Sequence, residues 1–124
     1  MEPGLLSVKN PKSMALMLLF EFTGAALITY SYNFNPTDYQ TRAFSYFVAW
    51  LFAVSISGAH FNPATTLAVY LYEQKYRDNL QYFIFCVFTQ ICGCYAGILI
   101  SFMFMKSDKD HLDEFVPFTP RYYD

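Results

Sequence analysis

Three apolar stretches along the chain are separated by polar and turn-forming residues. The first covers residues 14–32 and is interrupted by a single acidic residue, Glu21. The second, at 41–57, is aromatic and slightly short, and the third covers 79–105. Because about 20 mostly apolar helical residues span a bilayer, this pattern predicts three transmembrane helices, with Ser13 and Asn79 as candidate N-caps of the first and third.

A fourth apolar segment, residues 62–72, lies between the second and third stretches. Roughly ten residues at ~1.5 Å each reach only about half the hydrocarbon thickness. The segment is therefore predicted to be a re-entrant half-helix. The predicted fold class is an all-α membrane protein with three transmembrane helices plus one re-entrant half-helix. Its membrane domain is expected at 13–105, between an N-terminal tail at 1–12 and a polar, aromatic C-terminal tail at 106–124.

Small and polar residues share one face of the third predicted helix. They follow steps of three and four along the chain, the spacing of neighbours on a helix surface. The glycine pair in this stripe would let another helix approach closely. We therefore expect this face to pack against protein. The stripe consists of Cys86, Gln90, Gly93, Gly97 and Ser101.

An Asn-Pro-Ala turn begins the half-helix and occurs once in the sequence. The side-chain oxygen of Asn62 can cap the free N–H groups of the first turn, and Pro63 suits the first helical position. Ala64 keeps the tip small. The amide NH₂ of Asn62 can then point outward, where the helix dipole adds about half a positive charge. A neutral solute with lone pairs can accept that hydrogen bond, whereas a cation is repelled.

Three separate motifs resemble the aquaporin (major intrinsic protein) family. The run from Ser57 through Gly58 and His60 to Ala64 resembles its pore signature, which family members carry twice. Glu21 and Gly24 match a motif of the family's first helix, and Gln90 and Gly93 match one of its third. The resemblance covers about 13–105 and implies the first of the family's two inverted repeats, half of an aquaporin fold. It also implies that Glu21 supports the re-entrant loop.

Physical reasoning favours the same role for Glu21 over a role in proton relay. An ionisable group in mid-membrane costs several kcal/mol unless it is paired or hydrated, and the free N–H groups of residues 57–62 are its nearest expected partners. His60 is expected to brace the loop rather than bind a metal. The residues predicted to support the loop are Glu21, His60, Gln90, Ser57 and Gly58, and those predicted to pack helices closely are Gly24, Gly93 and Gly97.

Composition narrows the function further. The chain is 55% hydrophobic and 21% aromatic, and its net charge of −2 gives no basic surface for nucleic acid. No Ser/His/Asp arrangement and no phosphate-binding glycine loop is present, so we expect neither an enzyme nor a cofactor. Metal-ligand spacing is also missing. The three cysteines, Cys86, Cys92 and Cys94, are interpreted as small apolar packing residues.

Two functional hypotheses follow from the single motif. In the first, the protein is a structural accessory subunit within a hetero-oligomeric membrane complex, and neighbouring subunits cover its polar stripe and Asn-Pro-Ala loop. In the second, it is a half-channel that pairs with a second half to conduct water or small neutral solutes. A third possibility is a fragment of a longer channel. Aromatic residues of the C-terminal tail are candidate anchors on a partner: Phe115, Phe118, Tyr122 and Tyr123.

The charge pattern leaves orientation open. Lys9, Lys12, Lys75 and Arg77 lie on the predicted N-terminal side, and Arg42, Lys106, Lys109 and Arg121 on the other. This balance is compatible with insertion in both orientations, and the family resemblance implies a cytoplasmic or matrix N-terminus. The protein is expected to be a multi-pass integral membrane protein in contact with lipid. A mitochondrial inner membrane is one hypothesis for its location.

Overall fold

The computed structural model describes residues 11–34 and 38–107, and all regular structure in these ranges is helical. In chain order, two short helices lie between two long ones. A turn at residues 54–57 follows the second helix and leads into the loop before the third. The helices are α1 (Pro11–Phe34), α2 (Tyr39–Ala53), α3 (Pro63–Glu73) and α4 (Tyr76–Ser107).

The long helices form the centre of the fold. Lys12–Phe34 and Tyr76–Phe104 are long and apolar enough to cross a membrane. They pack extensively against each other, while α2 packs on α1 and α3 packs on α4. The short helix α3 is thereby held against α4, and the loop before it is hydrogen-bonded to Glu21 of α1.

Glycines bring the backbones of α1 and α4 together. A Cβ atom at Gly93 would collide with the carbonyl oxygen of Phe22, and one at Gly97 with that of Ala26. The polar stripe of α4 is buried at this contact and beside α3. The accessory-subunit hypothesis expected neighbouring subunits to cover this stripe. In the structure, helices of the same chain cover it, so the stripe needs no neighbouring subunit.

The described residues have a polar interior and an apolar exterior. The largest fully buried side chains include Gln90, Glu21 and Asn79, whereas Phe88 and Met103 of α4 are 64% and 70% exposed. A water-soluble domain has the opposite arrangement, because burying apolar area drives its folding. The exposed apolar surface is suited to contact with lipid.

The helix starts predicted at Ser13 and at Asn79 are wrong. The first helix already begins at Pro11, so Ser13 lies inside it. The last helix begins at Tyr76, and Asn79 is buried in its first turns, where its amide donates a 2.6 Å hydrogen bond to Glu73 Oε2. Asn79 is therefore a buried residue that bonds to Glu73 rather than an N-cap. A capping rule that considers only local sequence does not include such a contact. The predicted anchors of the C-terminal tail lie outside the described residues.

Candidate functional site

The loop from Ser57 to Asn62 has an unusual backbone. Gly58 has a φ of +85°, and two residues with side chains, Ala59 and Phe61, have φ values of +53° and +51°. Left-handed backbone costs a non-glycine residue roughly 1–2 kcal/mol. The loop must therefore be held in this shape by contacts with the rest of the protein.

The carboxylate of Glu21 supplies those contacts. Its Oε1 accepts hydrogen bonds from the Ser57 hydroxyl at 2.7 Å and the His60 backbone N–H at 3.0 Å. Its Oε2 accepts from the Phe61 backbone N–H at 2.6 Å and from Gln90 Nε2 at 2.8 Å. The side chain is 0% exposed. One helix thus holds both the loop and α4 through a single buried group, and hydrogen bonds to a charged acceptor are the strong ones.

Gln90 extends this network to the half-length helix. Its Nε2 also donates to Thr66 Oγ1 at 2.9 Å and lies 3.4 Å from Cys86 Sγ. Thr66 in turn donates to the backbone oxygen of Asn62 at 3.2 Å. The amide of Gln90 therefore connects the Glu21 carboxylate to the first turn of α3.

Asn62 lies at the N-cap of α3, and its Oδ1 accepts the backbone N–H of Ala64 at 2.8 Å. Pro63 occupies the first helical turn. The side chains of Asn62 and Ala64 are exposed. No described residue accepts a hydrogen bond from Asn62 Nδ2, so the donor remains available at the exposed tip.

The other predicted site residues lie around this tip. Gly24 abuts the ring of Phe61, where a Cβ atom would clash. Gly58 faces the imidazole of His60. His60 is buried and contributes its backbone N–H to the carboxylate, while its ring Nδ1 has no partner among the described residues. The bracing of the loop by His60 thus runs through its main chain.

An open groove leads to the exposed tip. It has a volume of about 630 Å³ and lies between α1, α2 and the loop. On the far side of Pro63, a smaller apolar pocket of about 130 Å³ borders α4. The tip therefore separates a partly polar surface from an apolar one. The groove is lined by Ile28, Tyr32, Tyr39, Arg42, Ala43, Tyr46, Phe61 and Asn62.

Sequence reasoning missed two residues of this site. Thr66 lies one helical turn after Asn62, and that spacing could have placed it on the same face. Arg42 was considered only in the charge balance, although a cation at the start of an aromatic stretch is a recognisable signal. Within residues 11–34 and 38–107, no cluster of His, Cys, Asp or Glu could hold a metal ion. All three cysteines are free thiols.

The fold and this site define an all-helical membrane protein with a short helix whose capped tip is exposed. Comparison with protein families agrees: the family model "Major intrinsic protein" matches residues 12–122. The chain therefore belongs to the major intrinsic protein family, whose members are membrane channels. The match runs beyond residue 105 into the C-terminal segment. No curated protein and no solved structure matches the chain significantly.

Proposed function

We propose that the chain forms one wall of a pore for water or small neutral solutes. In this proposal α1, α2 and α4 cross the membrane, and α3 enters it as a re-entrant half-helix. The opposite wall comes from another segment of the same fold, whether on a second copy, on a separate polypeptide or on a longer form of this chain. The accessory-subunit hypothesis is the alternative outcome of the experiment below.

The length of α3 supports its assignment as a half-helix. The 11 residues of α3 correspond to ~16 Å of helix, about half the hydrocarbon thickness. Non-helical backbone at membrane depth is tolerated where protein shields it or where it lines a water-filled cavity. The loop before α3 meets the first condition through Glu21 and borders the groove that would meet the second.

The observation that carries the proposal is the state of the Asn62 amide. Its oxygen is engaged in the cap, its nitrogen has no described acceptor, and the side chain lines the groove. The positive end of the α3 dipole lies at the same place. A passing water molecule or hydroxyl could accept this hydrogen bond, and a cation would be repelled. The accessory-subunit hypothesis needs a partner group to take up that donor.

The experiment is osmotic swelling of proteoliposomes that contain the purified chain, measured by stopped-flow light scattering. When a second copy supplies the opposite wall, the wild-type protein alone should raise water permeability above that of empty vesicles. Asn62→Asp keeps an oxygen for the cap but replaces the outward donor by an acceptor. We expect about a tenfold loss of flux, the order of one missing hydrogen bond at the barrier.

The matched control is Gln81→Glu, the same change from amide to acid at an exposed position of α4. It should leave the flux unchanged. Equal flux in wild-type and Asn62→Asp protein would contradict the role of the amide. Wild-type vesicles that swell no faster than empty ones, with comigration of the chain in a multi-subunit complex in native lipid, would favour the accessory-subunit hypothesis.

A further inference from the structure

Arg42 places a positive charge at the groove that leads to the Asn62 tip. Its guanidinium carbon lies 4.6 Å from the centre of the Tyr32 ring and 5.3 Å from that of the Tyr39 ring. Cation–π contacts of this kind hold the planar group in place. All three side chains line the groove. The positive charge of Arg42 therefore has a fixed position in the lining of the groove.

This charge has no ion-pair contact within the described part of the chain, although, besides the hydrogen bonds from Thr41, Arg42 is near enough to Asp38 to help lower the pKa of that carboxyl group. No described carboxylate lies within ion-pair distance of Arg42. The nearby Asp38 is engaged in capping α2, where it accepts hydrogen bonds from the backbone N–H groups of Gln40 and Thr41 and from the Thr41 hydroxyl. The Nε of Arg42 is buried and has no hydrogen-bond partner there. A buried N–H donor without an acceptor is costly, so an acceptor is expected at this position.

The guanidinium of Arg42 determines which kind of acceptor can bind to it. A guanidinium offers its N–H groups in a planar fork that matches two oxygens of one planar anion. Asn62, which caps the positive end of the α3 dipole, borders the same groove.

We propose that Arg42 makes the groove a binding site for a small planar oxyanion of the carboxylate or nitrate type. A phosphate group offers the same fork of oxygens, so the source is either a soluble oxyanion or the headgroup of an anionic lipid. This site goes beyond a neutral-solute pore, because oxyanion binding does not require that the groove conduct. An occupied groove would obstruct access to Asn62.

Binding is tested on the purified chain in phospholipid-free detergent, by calorimetric titration with sodium formate or sodium nitrate at constant ionic strength in sodium chloride. The wild-type protein should bind one oxyanion. Arg42→Gln should weaken binding roughly tenfold to a hundredfold, the loss expected for hydrogen bonds to a charged group. Arg42→Lys keeps the charge but not the fork and should be intermediate. Arg77→Gln removes an exposed cation of α4 and should bind like wild type.

Native mass spectrometry of protein from vesicles with and without phosphatidylglycerol separates the two sources. Retention of that lipid by wild type and not by Arg42→Gln identifies the lipid phosphate as the occupant. Formate or nitrate binding that is lost in Arg42→Gln, without such retention, identifies a soluble oxyanion. The proposal is overturned if wild type binds neither, or if Arg42→Gln binds as tightly as wild type while its melting temperature in chloride shows that it is folded. Water flux is measured separately, so a failed pore proposal would not be confused with a failed anion site.

Discussion

Replacing Glu21 by glutamine should destabilise the protein strongly although the two side chains have nearly the same shape. The carboxylate accepts two hydrogen bonds on each oxygen. A glutamine oxygen can replace one of the two, and its NH₂ group must then face donors. If that NH₂ takes the Oε2 position, it meets the backbone N–H of Phe61 and the amide of Gln90.

These two donors differ in their ability to adjust. The amide of Gln90 can rotate by half a turn and offer its Oε1, which is buried without a described partner in the wild-type structure. The N–H of Phe61 is fixed by the backbone and loses its acceptor. One orphaned donor costs about 1–3 kcal/mol, and the remaining bonds weaken to about half when their acceptor becomes neutral. The total is on the order of 4 kcal/mol, a large fraction of the 5–15 kcal/mol that typically stabilises a folded protein.

Thermal unfolding in detergent, followed with a thiol-reactive dye, measures this effect with the native cysteines as reporters. Cys86 is buried, and Cys92 and Cys94 are half-buried. The melting temperature of Glu21→Gln should fall by at least about 10 °C. The control is Thr23→Ala, an exposed position whose hydroxyl bonds only within α1. A melting temperature of Glu21→Gln within about 2 °C of wild type would refute the reasoning, because it would mean that the carboxylate does not hold the loop.

Two further predictions use the same measurement. Gly93→Ala should lower stability by about 1–3 kcal/mol because its Cβ would press on the Phe22 carbonyl, whereas Tyr95→Ala at an exposed position should change melting little; equal effects would contradict the close contact. Hydrogen bonds from Thr41 lower the pKa of Asp38 below 3.8, so the contribution of this cap is complete above that pH and is lost as the pH falls through the lowered pKa. Asp38→Ala should therefore lower the melting temperature at neutral pH and much less under strongly acidic conditions, and a difference that does not depend on pH would contradict this role.

The sequence by itself determined the features that depend on near neighbours. The half-length helix was predicted at 62–72 and is found at Pro63–Glu73, because its Asn-Pro start and its length are local properties. The second helix was predicted to end near residue 57 and ends at Ala53, where a turn follows. The all-helical class was predicted from the lengths of the apolar stretches, which are also local properties. The wider topology of three crossings with a re-entrant helix stays a prediction, as does the mitochondrial inner membrane.

Only the tertiary structure decided which groups meet across the chain. Glu21 pairs with residues 36 to 69 positions away, and the sequence could name these partners but could not distribute them over the two oxygens. That the α4 stripe is covered by helices of the same chain, and that Arg42 shares a groove with Asn62, depends on how α1, α2 and α4 cross. Helix crossings are set by side-chain packing over many residues at once, whereas caps and periodicity are set within a turn or two, and this difference separates what could be predicted from what could not.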